Sequence, residues 1–366
     1  MGIENRIINY TLSKLFFPKV VVIDKPGVIY TKQDRLFGNP ITRRRIVYYF
    51  EDILVELHKE TVKQIGPKKT AELWYKIGKD VGTRFLLLSK VRKPNHLLIQ
   101  PILDHIFAGL RSGGQSFAKK VKFNPRKKTL VLEGDNNVFC RKTGDGSFFA
   151  GLISGIMSFL VGENIETETR CNCPANCRII ADPKFKKKYI PDFSELAIDK
   201  KYFKMNFPVP ISIPGNSPSF SDMIRFKKIR FNKRGKPTYS NKAIIPGEPG
   251  MVGITYLRMS KSIKNIDKIL TKSSEKLAND IFKNKFSTPK KIKETLNLLC
   301  VLGYGIPSYR NLKEELEISF KFPPYSKYNY DFQARILNGF LNAVYNRRLR
   351  LIKYEKTTNK IIFLYS

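Results

Sequence analysis

Apolar and polar positions along this 366-residue chain recur at two different periods, and the switches between them mark out its elements. Residues 20–30 (VVVIDKPGVIY) read as a strand and turn, with a basic loop following near Gly38–Pro40. From Arg45 to Gln64 apolar side chains fall at helical spacing, at Ile46, Tyr49, Phe50, Ile53, Leu54 and Leu57. Gly66-Pro67 stops that helix, and a second runs over 68–88 through Ala71, Trp74, Tyr75 and Ile77. Another covers 99–110 and ends at Ser112-Gly113-Gly114. Two alternating runs, 116–123 and 129–133, flank a turn at Asn124-Pro125 and predict a hairpin. An apolar helix over 147–160, a strand at 165–171 and a strand at 178–181 complete the first part.

Residues 183–222 change character. Proline recurs at Pro183, Pro191, Pro208, Pro210, Pro214 and Pro218, so this stretch reads as an extended connector. The order of elements then begins again. A basic strand and turn over 224–237 precede a helix at 262–286, and Gly247–Gly250 reads as a turn. Ser287-Thr288-Pro289 opens a helix to about Leu302. A strand at 316–322, a helix at 332–345 and strands at 349–354 and 360–364 follow. A shift of 184 lays Ala150 on Ala334, Ile153 on Leu337, Gly155 on Gly339, Leu160 on Val344 and Ile165 on Leu349. The expectation is an internal duplication: a first domain over 1–182, a connector over 183–222 and a second domain over 223–366.

Charge changes the picture most. Lys+Arg number 67 against 31 Asp+Glu, a net +36 that solubility does not require and self-repulsion disfavours. A polyanionic partner is the simplest cause, although a lysine-rich composition gives the same number without one. Basic runs carry interleaved aromatics. Arg225, Lys227, Lys228, Arg230, Lys233, Arg234 and Lys236 sit among Phe226, Ile229 and Phe231 with no acid between them. Lys119, Lys120 and Lys122 with Arg126, Lys127 and Lys128 form a second patch, and Arg43, Arg44, Arg45, Lys184–Lys188 and Arg347, Arg348 and Arg350 add others. Such groups position on phosphates while an exposed ring stacks on an unpaired base. The bland alternative buries the rings and solvates the cations. Nothing at the N-terminus resembles a signal peptide, and the charge-free stretch Gly146–Gly162 is 17 residues, short of the about 20 that span a bilayer. A cytoplasmic place at the nucleoid or ribosome is expected.

Five cysteines, three of them crowded at Cys171, Cys173 and Cys177, suit a reducing compartment. With Pro174 tightening the turn, those three thiols can converge on one tetrahedral ion, with Cys140 closing the shell, or remain free thiols on a turn. A closed thiolate shell has no open position, so zinc there would be structural. Cys300, flanked by Leu298, Leu299 and Val301, reads as core.

The segments Phe149-Ala-Gly-Leu-Ile-Ser-Gly155, Val161-Gly162, Glu166-Thr-Glu-Thr-Arg-Cys171 and Cys177-Arg-Ile179 resemble the 4-vinyl reductase domain family. That family is related to small vesicle-tethering (TRAPP) subunits and to haem-NO-binding domains. It includes ligand-sensing halves of aromatic-responsive bacterial regulators, in which zinc held by one Glu and three Cys sits beside the effector pocket. The resemblance covers 24–182 in order of elements and 223–366 faintly. It implies an α/β (α+β) fold of two tandem domains, each a small antiparallel sheet packed against helices. It places Cys171 and Cys177 on the two late cysteines. The family's glutamate falls near Cys140 and its remaining cysteine near Ser147, so Cys173 would supply the missing thiolate. In the second copy Glu355 and Lys360 take the places of Cys171 and Cys177, so that copy should be metal-free.

No Walker loop, GxSxG, HExxH or GxGxxG occurs, and His58, His96 and His105 have no metal or triad spacing. Glu163–Glu168 reads as an acidic strand edge. The expectation is therefore a non-enzymatic binding protein whose partner is DNA, RNA, a ribosome or a polymerase. The alternatives are a small-molecule-sensing regulator with a small hydrophobic ligand, and a protein–protein adaptor.

Overall fold

The computed structural model describes residues 21–32, 43–88, 94–172, 175–198, 202, 206, 217–232, 236–282, 287–312, 315–326, 329–357 and 359–366. The first half opens with the hairpin β1 (Val21–Lys25) and β2 (Val28–Lys32), turned at Gly27 with φ 75°, and β3 (Arg43–Phe50). Helices α1 (Glu51–Leu88) and α2 (His96–Ser112) follow, then the hairpin β4 (Phe117–Asn124) and β5 (Thr129–Asp135). After the short α3 (Cys140–Thr143) come α4 (Ser147–Val161) and the hairpin β6 (Glu166–Asn172) and β7 (Ala175–Asp182). The connector holds α5 (Phe193–Leu196) and α6 (Phe220–Arg225).

The second half runs β8 (Ile229–Phe231), β9 (Pro237–Tyr239) and β10 (Lys242–Gly247), then α7 (Pro249–Ser260), α8 (Ile266–Phe282) and α9 (Thr288–Val301). It closes with β11 (Ile306–Asn311), β12 (Leu316–Lys321), α10 (Asn329–Tyr345), β13 (Leu351–Lys356) and β14 (Lys360–Tyr365). This is a mixed α+β architecture of antiparallel sheets packed against helices.

The two halves have the same topology. One four-stranded sheet has the order β4-β5-β7-β6 and the other β11-β12-β14-β13, each with a helix, α4 or α10, between its two hairpins. The third sheet belongs to both halves, in the order β1-β2-β3-β10-β9-β8. Its middle pair is antiparallel, with Phe50 opposite Ile244, Tyr49 opposite Ile245 and Val47 opposite Gly247. The order reads the same from either edge, so an approximate twofold axis passes between β3 and β10. Buried residues of both halves form one continuous core.

Some elements depart from the sequence expectation. Residues 45–50 are strand rather than helix. Both faces of β3 are covered, so Val47, Tyr48, Tyr49 and Phe50 are all buried and the period of two is hidden. The break expected at Gly66-Pro67 is present: Gly66 has non-helical angles (φ 80°, ψ 163°), and the helix resumes with Pro67 in its first turn, where no amide is needed. The turn expected at 247–250 is the start of α7, with Glu248 as N-cap and Pro249 leading. The strand expected from 224 is divided: Arg225 ends α6, Lys227 turns the chain at φ 56°, and β8 begins at Ile229.

Backbone contact between helices sets the first half. On α1, Cβ atoms added to Gly78 and Gly82 would lie 2.0 Å and 2.3 Å from the Phe148 and Leu152 carbonyl oxygens of α4. On α4, those added to Gly151 and Gly155 would lie 2.0 Å and 2.2 Å from the Tyr75 and Lys79 oxygens. Gly339 on α10 stands in the same relation to Thr271 of α8, at 2.2 Å. Replacing Gly155 by Val must push α4 off α1, and overpacking in so close a contact should cost about 3 kcal/mol or more. Urea denaturation measures it, and a midpoint equal to that of the parent would refute the close-contact account.

Candidate functional site

The cysteines meet where α3, β6 and β7 converge. Antiparallel pairing sets Cys171 directly opposite Cys177. Cys140 opens α3 with its Sγ 3.5 Å from that of Cys177. All three Sγ atoms lie within 4.8 Å of one another. Thr169 Oγ1 is 3.0 Å from Cys171 Sγ, and a Cβ on Gly146 would stand 3.1 Å from that sulfur, so the loop before α4 closes tightly over it. Cys140 and Cys177 are buried and Cys171 is partly open. The Cys171 thiol is lowered to about 7, chiefly by its hydrogen bond with Cys177 and further by Thr169. The Cys177 thiol is pushed up by the same contact and by burial.

This donor set fits a tetrahedral metal, since Zn–S bonds of about 2.3 Å put sulfurs about 3.8 Å apart. In the structure Cys140 is disulfide-bonded, and Cys171 and Cys177 are thiols outside any disulfide. Thiolate coordination by all three therefore requires the reduced protein. Cys173 lies outside the described residues. Cys300 is fully buried in α9, and burial pushes its thiol up to about 12, as a core residue requires. In the second half Glu355 is exposed and bonded to Lys353 at 2.7 Å.

Beside the cysteines lies an aromatic group. Trp74 of α1 packs against Phe139 (5.3 Å between ring centroids), Phe148 (5.9 Å) and His58 (5.7 Å), and Phe139 meets Phe148 edge-on at 4.6 Å. His58 Nε2 is 2.9 Å from Asp145 Oδ2, and Asp145 Oδ1 accepts the Ser147 amide at the start of α4. Burial alone would raise the Asp145 carboxyl, but the bonds from His58 and Ser147 outweigh it and hold it below the usual range. Trp74 is 1% exposed, and its indole N–H has no acceptor.

A buried ion pair fixes the other side of α1. Lys79 and Glu166 have side chains 0% exposed and an Nζ–Oε1 distance of 2.8 Å. Lys79 also donates to Asn164 Oδ1 and the Tyr189 carbonyl, and Tyr75 donates its hydroxyl to Glu166 at 2.5 Å. One residue along, Asp80 accepts from Arg258 of α7 at 2.7 Å, and Arg84 donates to Glu248 at 3.3 Å. Glu166 is thus an interior anchor rather than an acidic edge. The periodic pattern hid it, because Lys79 and Glu166 break the apolar face of the very elements that bury them.

Among the described residues, the cations singled out in the sequence lie on β3, the β4–β5 hairpin, the stretch after β7, the stretch from α6 to β9 and the stretch after α10. Arg45 is buried, donating through Nη2 to the carbonyls of Gly27 (2.6 Å), Gly303 (2.9 Å) and Phe322 (3.1 Å), so it ties loops of the two halves together and cannot reach a phosphate. Arg43 and Arg44 lie on β3 with side chains outside the described residues, as do Lys233 and Arg234 entirely. Lys119 pairs with Asp135 at 3.1 Å, Lys120 with Glu133 at 3.6 Å, Lys128 with Glu163 at 3.0 Å and Lys228 with Glu294 at 4.0 Å. Lys122, Arg126 and Lys127 are exposed on the β4–β5 hairpin, and Arg347, Arg348 and Arg350 after α10. Arg225 pairs with Asp222 at 2.8 Å and lies over the ring of Phe226, which is 59% exposed rather than core. Lys227 and Arg230 are exposed beside it. No helix among the described residues is long and apolar enough to cross a membrane.

No protein-family model matches the chain, and no curated protein matches it. Among solved structures, the chain is similar to the phenol-responsive sensory domain of the transcription activator PoxR, solved with phenol. The two are 19% identical over 52% of this chain and 100% of that one, with a TM-score of 0.35. A likeness that loose carries no argument about what this chain does.

Proposed function

We propose that the chain is a non-enzymatic, regulatory binding module that senses a small planar ligand through its first half. The observation that carries this reading is the indole N–H of Trp74, buried without an acceptor among Phe139, Phe148 and His58. An unmade hydrogen bond in an apolar surrounding costs about 1–3 kcal/mol, so it marks a place where a partner is expected. Aromatic walls with one convergent donor suit a flat ring bearing a hydroxyl or carbonyl oxygen. Trp74 is the chain's sole tryptophan, so its fluorescence reports on this place alone. Titration with a panel of phenols and aromatic ketones should give a saturable fluorescence change with a rise in melting temperature. Trp74→Phe should weaken the bound ligand about tenfold, read from that melting shift. A panel without any saturable response would remove this reading.

The adjacent thiols are proposed to hold one structural zinc ion per chain in the reduced protein, through Cys140, Cys171 and Cys177, with Cys173 as the fourth ligand. The ion would cross-link α3 to the β6–β7 hairpin and so brace the floor under Phe139 and Phe148. Protein purified under reducing conditions without chelator should contain about one zinc per chain, and Cys177→Ser should lose both metal and thermal stability. Metal-free wild type of unchanged stability would exclude it.

A second reading, association with nucleic acid or a ribonucleoprotein assembly, is favoured by one surface. β8 is an edge strand of the shared sheet, and beside it Arg225 lies over the exposed ring of Phe226, with Lys227 and Arg230 exposed close by in sequence. With about five to eight phosphates neutralised, log K against log salt should slope at about −4 to −7. Changing Lys227, Lys228, Arg230, Lys233 and Arg234 to Ala should flatten that slope by about 2 or more. No retention of folded protein on DNA, RNA or heparin at low salt would exclude a polyanion partner.

A further inference from the structure

Three cations crowd one buried carboxylate where the two halves meet. Glu51 opens α1 directly after β3 and is 0% exposed. Its Oε1 accepts from Arg141 Nε at 2.7 Å, while Lys236 Nζ lies 3.7 Å and Lys142 Nζ 3.9 Å from its Oε2. Lys142 also contacts Asp52. The corner therefore holds Arg141, Lys142 and Lys236 against Glu51 and Asp52, one positive charge in excess.

The donors are not used up. Arg141 directs Nη1 to the carbonyls of Gly114 (2.7 Å) and Asn136 (3.2 Å), which fixes its plane. Its Nη2 has no acceptor although it is buried, on a side chain only 3% exposed. Glu51 Oε2 also lacks a hydrogen bond, so neither lysine reaches it at bonding distance. Lys236 is 13% exposed and Lys142 31%, which opens the corner on one side. A Cβ on Gly114 would stand 2.8 Å from Lys236 Cα, so the end of α2 holds that lysine's backbone in place.

The geometry points to a binding site for a compact phosphate-type dianion at this corner, with Arg141 Nη2, Lys236 and Lys142 as its donors. A guanidinium N–H edge and two ammonium groups around one carboxylate offer charge-assisted hydrogen bonds that a tetrahedral oxyanion can take together. The incoming charge also relieves the repulsion among the three cations. Lys236 already shows that repulsion: burial first, then the charges of Arg141 and Lys142, push it down to about 8. The site lies on α1, α3 and the approach to β9; it shares the Phe139 backbone, whose amide donates to Glu51 Oε1 at 3.4 Å, but its three donors lie outside the Trp74 rings, so phosphate binding is read separately from the ligand reading.

Titration calorimetry of inorganic phosphate into the full chain, at fixed ionic strength with chloride as reference, tests the site. Saturable binding is expected for wild type. Lys236→Met and Arg141→Lys should each weaken it about tenfold or more, since each removes one charge-assisted donor. Arg141→Lys keeps a cation for Glu51 but lacks Nη2. Lys122→Met on the exposed β4 strand should leave affinity within about twofold. Should Arg141→Lys fail to fold, Lys236→Met decides alone, because Glu51 keeps Arg141. A parallel arm with a nucleoside 5′-monophosphate identifies the source: equal affinity means a phosphate presented on a nucleotide, weaker affinity a free ion. No saturable heat beyond chloride, or undiminished binding by folded Lys236→Met, overturns the proposal.

Discussion

The antiparallel pairing of β3 with β10 is the constraint on which the rest of the molecule depends. Each strand alone would be the edge of a three-stranded sheet, with unpaired amides and carbonyls exposed to solvent. Joined, they become the middle of a six-stranded sheet, and their side chains are covered on both faces. Because β3 runs straight into α1 and β10 into α7, the pairing also sets where those helices start. The polar contacts that cross the molecule follow from this: Arg84 with Glu248, Asp80 with Arg258 and Arg45 with Gly303.

A buried charge survives only where its partners are held in register. Lys79 and Glu166 come from elements 87 positions apart in sequence, and the pair forms because glycine faces let α1 and α4 touch backbone to backbone. The same closeness carries Tyr75 to Glu166 and sets Trp74 between Phe139 and Phe148. The site beside the thiols is thus a by-product of helix contact. Its two polar ends, His58 with Asp145 and the Trp74 indole, are placed by opposite sides of the Gly66 break.

Much of this was legible in the sequence, and the exceptions share a cause. The β4–β5 hairpin, strands β6, β7, β12, β13 and β14, and helices α4 and α10 were readable from their apolar patterns, whereas β11, largely exposed, was not. The convergence of Cys140 on Cys171 and Cys177 was also readable, as a need for thiols rather than a contact. Strand β3 was missed because burial on both faces erases alternation, and β10 because it pairs with a segment nearly 200 residues away. Arg45 was taken for surface because three arginines in a row look solvated, whereas sheet pairing turns that one inward toward backbone carbonyls. Trp74 was seen only as a helix-face residue, since an unmade hydrogen bond has no sequence signature.

The shared sheet has a mechanical consequence. Two domains on a flexible hinge can answer a ligand by closing around it, but here the would-be hinge is a continuous hydrogen-bonded ladder with a single core on both sides of it. Rigid-body swinging would have to tear that ladder. One route by which a disturbance at Trp74 can reach the second half is α1, whose next three turns carry Asp80 and Arg84 and grip Arg258 and Glu248 at the two ends of α7. In this molecule α1 is a shaft rather than a wall. Motion of the first half against the second would then be a small rotation or slide of one helix against another, at a point fixed by two ion pairs.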